Sequence, residues 1–326
     1  MDIAAQRARP AFEPVPGWAK LPAGIALGEV AAVGIDRQDR VYAFNRGPNP
    51  MVVFDRDGNF LRSWGEGVIG RAHGIHMAPD DTIYCTDEGH HVVRRFTLDG
   101  RLLLEIGIPG EPAPFMSGQP FHRCTHTALT PDGDILVSDG YGNACVHRFS
   151  PGGTHLRSWG GAGCEPGQFN LPHNICCTEG GEVFVADREN HRIQVFDCDG
   201  RYVRQLNNLH RPSALFMTAG KCPLCYVGEI GPYMNVNRRT PNLGPRVTIM
   251  TERGDLVGRI ESVGGPGSRA DQFTSPHGIA VDSRGDIYVG EVGMTAWPSL
   301  FPGTQPPPDL ICLKKFRWGG SGAASG

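Results

Sequence analysis

The sequence lacks the features that mark several common classes of protein. No run of about 18 apolar residues occurs, so a transmembrane helix is not expected. Basic residues are not in excess, since 31 lysines and arginines stand against 34 aspartates and glutamates, and the formal charge is −3. This balance argues against a nucleic-acid partner. The first ten residues contain no apolar stretch of the kind found in secretory signals.

The sequence also lacks a disulfide framework. Its ten cysteines have no dense, regular spacing, and the chain of 326 residues is long for a disulfide scaffold. We therefore expect reduced thiols and a cytoplasmic location. The pair Cys222 and Cys225 has no partner motif elsewhere, and we interpret it as part of the core rather than as a metal site.

Glycine, by contrast, is abundant. The chain has 45 glycines and 27 prolines, and glycine averages only about 7% in globular proteins. So many glycines spread along one chain indicate many tight turns, and therefore many short strands rather than long helices. Asp-Gly and Gly-Gly pairs between apolar runs predict hairpins at residues 57–58, 99–100, 132–133, 180–181 and 199–200.

A repeat runs through the sequence. Residues 73–87, 173–187 and 277–291 each begin with histidine, continue as an apolar run, turn, and end a second apolar run on an acid. A spacing of about 40 residues with four strands per unit is typical of a β-propeller. Six such units begin near Glu29, Arg71, Phe121, Phe169, Leu209 and Phe273.

The sixth unit has only three strands of its own. It ends at residues 316–318, whereas the segment 12–21 precedes the first unit and belongs to no other. We predict that this segment supplies the missing outer strand, because a closed ring leaves no open sheet edge. The predicted fold is an all-β six-bladed propeller over residues 1–318, and residues 319–326 have the composition of a linker or tag remnant.

One position of the repeat alternates between histidine and small residues. This position, which we call the channel column, holds Ala31, His73, Thr125, His173, Ser213 and His277. The first strand of each blade lines the central channel, so histidines on alternate blades lie about 120° apart and converge on the axis. Three histidines with a fourth position open are how catalytic zinc is held. The alternative is that these are ordinary histidines at strand starts.

The remaining histidines receive other interpretations. His91 and His191 occupy the loop before a third strand, and we interpret both as structural. His76 and His126 lie close to the channel column and are candidates to support it. His76 follows His73 by three residues, so on a strand it points to the opposite side.

The loops after the second strands lie over the predicted histidine triad. They carry Arg46, Tyr141 and Arg188, and the insertions at 229–246 and 292–309 open from the same position in units five and six. Long insertions on one rim often form the walls of a functional site. For the two arginines the alternative is a salt bridge between blades, and for Tyr141 it is a packed ring.

Several motifs resemble those of a known family. They are Asn45-Arg46-Gly47, Ser138-Asp139-Gly140-Tyr141, Leu171-Pro172-His173, Ala186-Asp187-Arg188-Glu189-Asn190 and Pro276-His277. The repeats resemble the NHL class of propeller, and the chain resembles the lyase domain of peptidylglycine α-amidating enzymes across units one to four and six. The resemblance implies zinc on His73, His173 and His277, a base at Tyr141, and active-site arginines at Arg46 and Arg188.

The chain departs from that family at three places. Gly142 and the pair Phe184-Val185 stand where the secreted members carry cysteines, so those disulfides cannot form here. The family's structural calcium uses an aspartate directly after the third zinc histidine. Here that residue is Gly278, which weighs against calcium.

The leading hypothesis for function is a metal-dependent lyase that cleaves the C–N bond of a carbinolamide. Its substrate would be a small molecule, anionic or amide-containing, and neither nucleic acid nor membrane is an expected partner. A metal-dependent hydrolase or hydratase of an amide or lactone would use the same three histidines, because fold and metal do not fix the reaction. A third hypothesis is a non-catalytic NHL binding scaffold.

Overall fold

Consecutive short strands make up the architecture. The computed structural model describes residues 12–220 and 222–319, in which 24 strands form six four-stranded antiparallel sheets. Residues 320–326, most of the predicted linker, lie outside the described residues. The strands are β1 Phe12–Pro14; β2 Val30–Ile35, β3 Val41–Asn45, β4 Met51–Phe54, β5 Phe60–Trp64; β6 Ala72–Met77, β7 Thr82–Asp87, β8 Val92–Thr97, β9 Leu102–Ile106; β10 Cys124–Leu129, β11 Ile135–Asp139, β12 Cys145–Phe149, β13 His155–Gly160; β14 Pro172–Cys177, β15 Val183–Asp187, β16 Arg192–Phe196, β17 Tyr202–Leu206; β18 Pro212–Met217, β19 Leu224–Glu229, β20 Arg246–Thr251, β21 Leu256–Glu261; β22 Pro276–Val281, β23 Ile287–Glu291 and β24 Leu313–Trp318.

The sheets are the blades of a ring around a central channel. The first strands of neighbouring blades contact one another all the way round, from β2 and β6 through to β22 and β2. Side chains that alternate along the strands fill the spaces between blades, so each of the six apolar clusters lies between two neighbouring sheets. The predicted six-bladed propeller is therefore confirmed.

The predicted hairpins form at the expected places. Gly58 and Gly200 have φ of 83° and 75°, a region that glycine enters without strain. The carboxylate of Asp55 accepts the N–H groups of Asp57 and Asn59 at 2.9 and 2.8 Å. Because this side chain satisfies the turn's own donors, the Asp-x-Asp-Gly sequence is sufficient to end one strand and begin the next.

The ring closes through the N-terminal strand, as predicted. β1 pairs antiparallel with β24, with Phe12 opposite Trp318 and Pro14 opposite Phe316. The sixth sheet thus joins the two ends of the described chain in the order β1-β24-β23-β22. Trp18 follows this strand and packs edge-on against Tyr288 at 5.0 Å, while its indole N–H donates to the carbonyl of Arg56 at 3.0 Å.

Replacement of Trp18 by alanine should loosen this closure. The side chain is 7% exposed and belongs to the cluster between the first and last blades, so its truncation should cost about 3–5 kcal/mol of unfolding free energy. Thermal unfolding of Trp18→Ala would measure the loss. Trp318→Ala, which truncates a side chain 46% exposed on the same sheet, is the control, and equal losses in the two variants would contradict this account of closure.

The two insertions differ from the regular blades. The segment between β19 and β20 contains no helix or strand, whereas the segment between β23 and β24 contains one helix, α1 Gly293–Leu300. Sequence analysis did not predict this helix, which has Pro298 inside it. Trp297 holds it in place by packing into the cluster between the first and last blades. No helix in the described part of the chain is long and apolar enough to cross a bilayer.

Candidate metal centre

A β-bulge begins the first strand of every blade. In each of the six sheets the pairing register shifts across the channel-column residue, for example between Ala72 and Gly74 around His73. A bulge leaves its extra residue out of the ladder and turns its side chain to a new direction. The bulges therefore direct the column residues of all six blades toward the channel.

The structure brings the three column histidines together. The ring centroids of His73, His173 and His277 lie 4.6–4.8 Å apart, and one nitrogen from each lies within 4.8 Å of the others. All three side chains are buried, with exposed fractions of 1–5%. The convergence predicted from their alternation along the repeat is thus present.

Main-chain carbonyls orient the three imidazoles. Each Nδ1 donates to the carbonyl of the column residue in the next blade: His73 to Thr125 at 2.6 Å, His173 to Ser213 at 2.6 Å and His277 to Ala31 at 2.7 Å. With the proton on Nδ1, the lone pair of each Nε2 is available for the centre of the triangle. An outer hydrogen bond of this kind is the usual way in which proteins fix a metal-binding histidine.

The environment also keeps these imidazoles neutral. Burial lowers the pKa of all three well below the usual range. The positive charge of Arg188 lowers all three pKa values further, and that of Arg46 lowers those of His73 and His277. Neutral imidazole is the form that ligates metals. The group can therefore hold a metal ion, and three imidazole nitrogens are a donor set that suits zinc and its neighbouring transition metals.

Tyr141 reaches the point on which the histidines converge. Its hydroxyl lies 3.1 Å from Nε2 of both His73 and His173, and its ring meets both imidazoles edge-on. The guanidinium carbons of Arg123 and Arg188 lie 4.7 and 5.7 Å from the ring centroid. The ring is packed, as the alternative interpretation has it, but its hydroxyl also faces the candidate metal centre.

Both predicted arginines are ion-paired. Arg46 contacts Glu29 at 3.1 Å and Glu88, which belongs to the next blade, at 3.7 Å. Glu29 in turn accepts the backbone N–H and the hydroxyl of Thr295 in α1, at 2.5 and 2.9 Å, so the second insertion braces Arg46 through this carboxylate. The salt bridge between blades is thus present at Arg46.

Arg188 is held differently. Its Nε donates to Glu189, the next residue, at 2.8 Å, and the same carboxylate is shared with Arg211 of the following blade. Arg188 also lies over the Tyr141 ring and is only 13% exposed. Its guanidinium therefore borders the candidate metal centre rather than joining two blades directly.

Three residues of the site were not identified from the sequence. Arg123 and Arg211 each stand two residues before the channel column, and Arg211 lies 4.5 Å over the ring of Tyr233. Tyr233 belongs to the first insertion and donates its hydroxyl to Ser275 at 3.1 Å. For the two arginines the only signal was their place in the repeat, and Tyr233 belongs to an insertion with no counterpart in the other units. Loop conformation decides which of these side chains turn inward.

The other histidines lie outside the three-histidine group. Burial lowers the pKa of His76 to about 4 and that of His126 to about 3, and the His76 ring faces Tyr84 at 6.5 Å. His91 accepts the backbone N–H of Arg123 at 3.0 Å. The ring of His191 lies beside that of His210, with centroids 4.5 Å apart and planes tilted by 50°.

The cysteines form no disulfide in this structure, and all ten are free. Cys225 is buried in the cluster between the fourth and fifth blades, whereas Cys222 is exposed.

The residues present do not fit the calcium implied by the family resemblance. A Cβ at position 278 would lie 2.5 Å from the Cα of Ala32, so the backbone leaves no space for an aspartate in place of Gly278. The corresponding position of the third blade holds His126, whose donors are nitrogen. Calcium takes six to eight oxygen ligands, and we assign it no role.

Comparison with known proteins agrees with the architecture. The NHL repeat model matches residues 169–196 and 273–294. Human NHL repeat-containing protein 3 is 32% identical over 295 residues, which cover 85% of this chain and 80% of that protein. Peptidyl-alpha-hydroxyglycine alpha-amidating lyase 1 of Drosophila melanogaster is 28% identical over 311 residues, covering 82% of this chain and 56% of that protein.

A solved structure shows the same fold at greater distance. Virginiamycin B lyase from Staphylococcus aureus superposes with a TM-score of 0.55 at 14% identity, over 82% of this chain and 78% of that one. At this identity the similarity supports the overall fold alone. The chain belongs to the NHL-repeat family of propellers, and within it is related both to NHL repeat-containing protein 3 and to the amidating lyases.

Proposed function

We propose that this protein is a metal-dependent lyase that breaks the C–N bond of a carbinolamide of the α-hydroxyglycine type. The products would be an amide and an aldehyde or glyoxylate. The observation that carries the proposal is the Tyr141 hydroxyl, 3.1 Å from Nε2 of two of the three histidines. A group able to transfer a proton thus stands where a metal and a substrate hydroxyl would meet. The relative named as an amidating lyase supports the same reaction.

His73, His173 and His277 would hold the metal, of which zinc is our choice. When bound, such an ion lowers the pKa of a hydroxyl group brought to it. The Tyr141 hydroxyl receives the proton of the substrate hydroxyl and passes its own proton to the amide nitrogen. The electron pair of the broken O–H bond becomes the second bond of the aldehyde C=O, and the C–N electron pair stays on nitrogen, where it binds the proton from Tyr141. Tyr141 ends in the protonation state in which it began, and no water is consumed.

Arg46 and Arg188 would bind the acidic end of the substrate. Both are largely buried, with side chains 10% and 13% exposed. Arg46 donates to the carbonyl of Ala72, the residue before His73, at 3.2 Å, and Arg188 lies over the Tyr141 ring, so both charges are close to the reacting centre. A guanidinium presents paired N–H donors that match the two oxygens of a carboxylate. In this proposal they hold the carboxylate of the glyoxylate that leaves.

Product analysis in ¹⁸O-labelled water tests the proposal. Metal-loaded protein should convert N-benzoyl-α-hydroxyglycine to benzamide and glyoxylate, with no ¹⁸O in the benzamide. Glyoxylate exchanges its aldehyde oxygen with water and is not informative. A hydrolase would instead release benzoate carrying ¹⁸O, and a scaffold would release nothing, so either outcome would contradict the lyase.

The proposal includes the setting in which the enzyme works. Ten free cysteines are compatible with the reducing cytoplasm, and we propose that location. A small anionic or amide-containing substrate is the proposed partner, without nucleic acid or membrane.

A further inference from the structure

Arginine side chains outnumber carboxylates at the mouth of the site. Arg46, Arg71 and Arg123 all contact the carboxylate of Glu88. We call these four residues the Glu88 cluster. Glu29 pairs with Arg46 as well, so three guanidiniums share two carboxylates there.

A second cluster lies across the site. Arg188 and Arg211 both contact Glu189 at 2.8 Å. Five arginines thus share three glutamates at the mouth of a protein whose formal charge is −3. Asp139, whose buried carboxylate accepts from the backbone of His122 and the side chain of Asn143, adds a fourth negative charge, so the arginines exceed these carboxylates by one.

The arginines of the Glu88 cluster fall into two kinds. Arg46 is 10% exposed and lies beside the histidines, whereas Arg71 and Arg123 are each 45% exposed. Arg71 meets Glu88 through Nε at 2.5 Å, and Arg123 meets it through Nε and a terminal nitrogen at 3.0 and 2.7 Å. Glu88 itself is 1% exposed. A buried carboxylate therefore holds two half-exposed guanidiniums at the rim.

The backbone at Arg123 is unfavourable for a residue with a side chain. Its φ is 63°, in the left-handed region, which glycine would occupy without strain. Arginine stands there nevertheless, and its guanidinium lies 4.7 Å over the Tyr141 ring. Leu171 and Arg211, at the same position of the next two blades, have φ of 70° and 55°, so the conformation belongs to the repeat. What Arg123 adds is the contact of its guanidinium with the Tyr141 ring.

From these observations we propose that Arg71 and Arg123 form a second anion-binding subsite, and that the preferred substrates are N-acyl-α-hydroxyglycines with a further carboxylate on the acyl chain. The inference rests on the proposed function. Arg46 and Arg188 take the carboxylate next to the carbon that reacts, and the rim pair takes the carboxylate at the far end. Each of the two carboxylates of the substrate then meets a pair of guanidiniums.

Matched substrates test this subsite. The N-succinyl, N-glutaryl and N-adipoyl derivatives of α-hydroxyglycine are diacids. Each has a monoacid partner of equal acyl-chain length that lacks the far carboxylate, namely N-butanoyl, N-pentanoyl and N-hexanoyl. At least one diacid should exceed its partner about tenfold in kcat/KM, a modest factor because both arginines are half exposed to screening solvent. The preference should shrink as salt is raised.

Variants locate the preference. In Arg71→Gln and Arg123→Gln the ratio of diacid to monoacid kcat/KM should fall toward one, and a ratio taken within one variant does not depend on its overall activity. Arg101→Gln removes an exposed arginine in the β8–β9 turn of the same blade, at the opposite face, and should keep the wild-type ratio. A wild-type ratio near one, or a ratio that both rim variants leave unchanged, would overturn the subsite.

A binding measurement separates this inference from the proposed function. If no substrate in the series is cleaved, the lyase proposal fails, and calorimetry with unreactive N-succinylglycine and N-butanoylglycine still tests the subsite. Tighter binding of the diacid, lost in Arg123→Gln, would support it. Equal affinity for the two ligands in the wild-type protein would overturn it.

Discussion

Replacement of His173 by alanine is expected to remove the metal and the proposed lyase activity together. The three Nε2 atoms are the converging metal ligands. Loss of one leaves only two imidazoles, whereas a catalytic tetrahedral site needs three protein ligands. Affinity for zinc should fall by more than about 100-fold, because loss of a mere outer partner of a ligand already costs about 10–100-fold. Metal content after dialysis and turnover of a carbinolamide measure the two losses.

His76→Ala is the matched control for this variant. His76 also belongs to a first strand next to the channel, and burial lowers its pKa as well, but it lies outside the three-histidine group. We expect this variant to lose stability yet keep its metal. An His173→Ala protein with full metal content and full activity would show that the channel triad is not the metal site.

Replacement of Tyr141 by phenylalanine should leave the fold and the metal in place while turnover falls by about 10²–10⁴-fold, the usual contribution of a general acid–base group. The substitution removes one oxygen, and that oxygen makes the 3.1 Å contacts to His73 and His173. Since the remaining ring keeps its place under Arg123 and Arg188, kcat should fall far more than KM rises. Steady-state kinetics on metal-loaded protein checks this.

Tyr226→Phe provides the comparison for Tyr141→Phe. Tyr226 is 7% exposed and lies in the cluster between the fifth and sixth blades, away from the channel group. Its loss of a hydroxyl should leave turnover near the wild-type value. If Tyr141→Phe behaved the same way, Tyr141 would be a packed ring without a part in proton transfer.

Periodicity made much of this molecule predictable. Residues at one position of a propeller repeat occupy one level of the channel, so the alternation of His73, His173 and His277 with small residues was enough to predict their convergence. The closing strand followed from counting, since the last unit lacked a strand and the N-terminal segment belonged to no other. Both inferences needed only the order of strands.

The hydrogen bonds that the backbone makes to the three histidines could not be predicted from the sequence. The carbonyls that orient the histidines come from Ala31, Thr125 and Ser213, and they are free to do so because each blade begins with a bulge. Every residue type offers the same carbonyl, so no side-chain pattern marks this role. The small column residues therefore supply half of the hydrogen-bonding arrangement.

Tertiary packing decided the remaining features. α1 contains Pro298, which is unfavourable inside a helix, yet Trp297 packs against the first and last blades and keeps the segment helical. Arg123 turns inward through a left-handed backbone that its residue type does not favour. Neither outcome follows from local preference.

Zinc titration of metal-free protein tests the central claim most directly, namely that the three channel histidines hold a metal on which C–N cleavage depends. Glyoxylate release from N-benzoyl-α-hydroxyglycine is the readout. The account predicts no turnover without metal and a rise that saturates at about one zinc per chain, the occupancy of a single tetrahedral site. Full turnover by the metal-free protein, or zinc bound at the histidines with no cleavage at saturation, would contradict it.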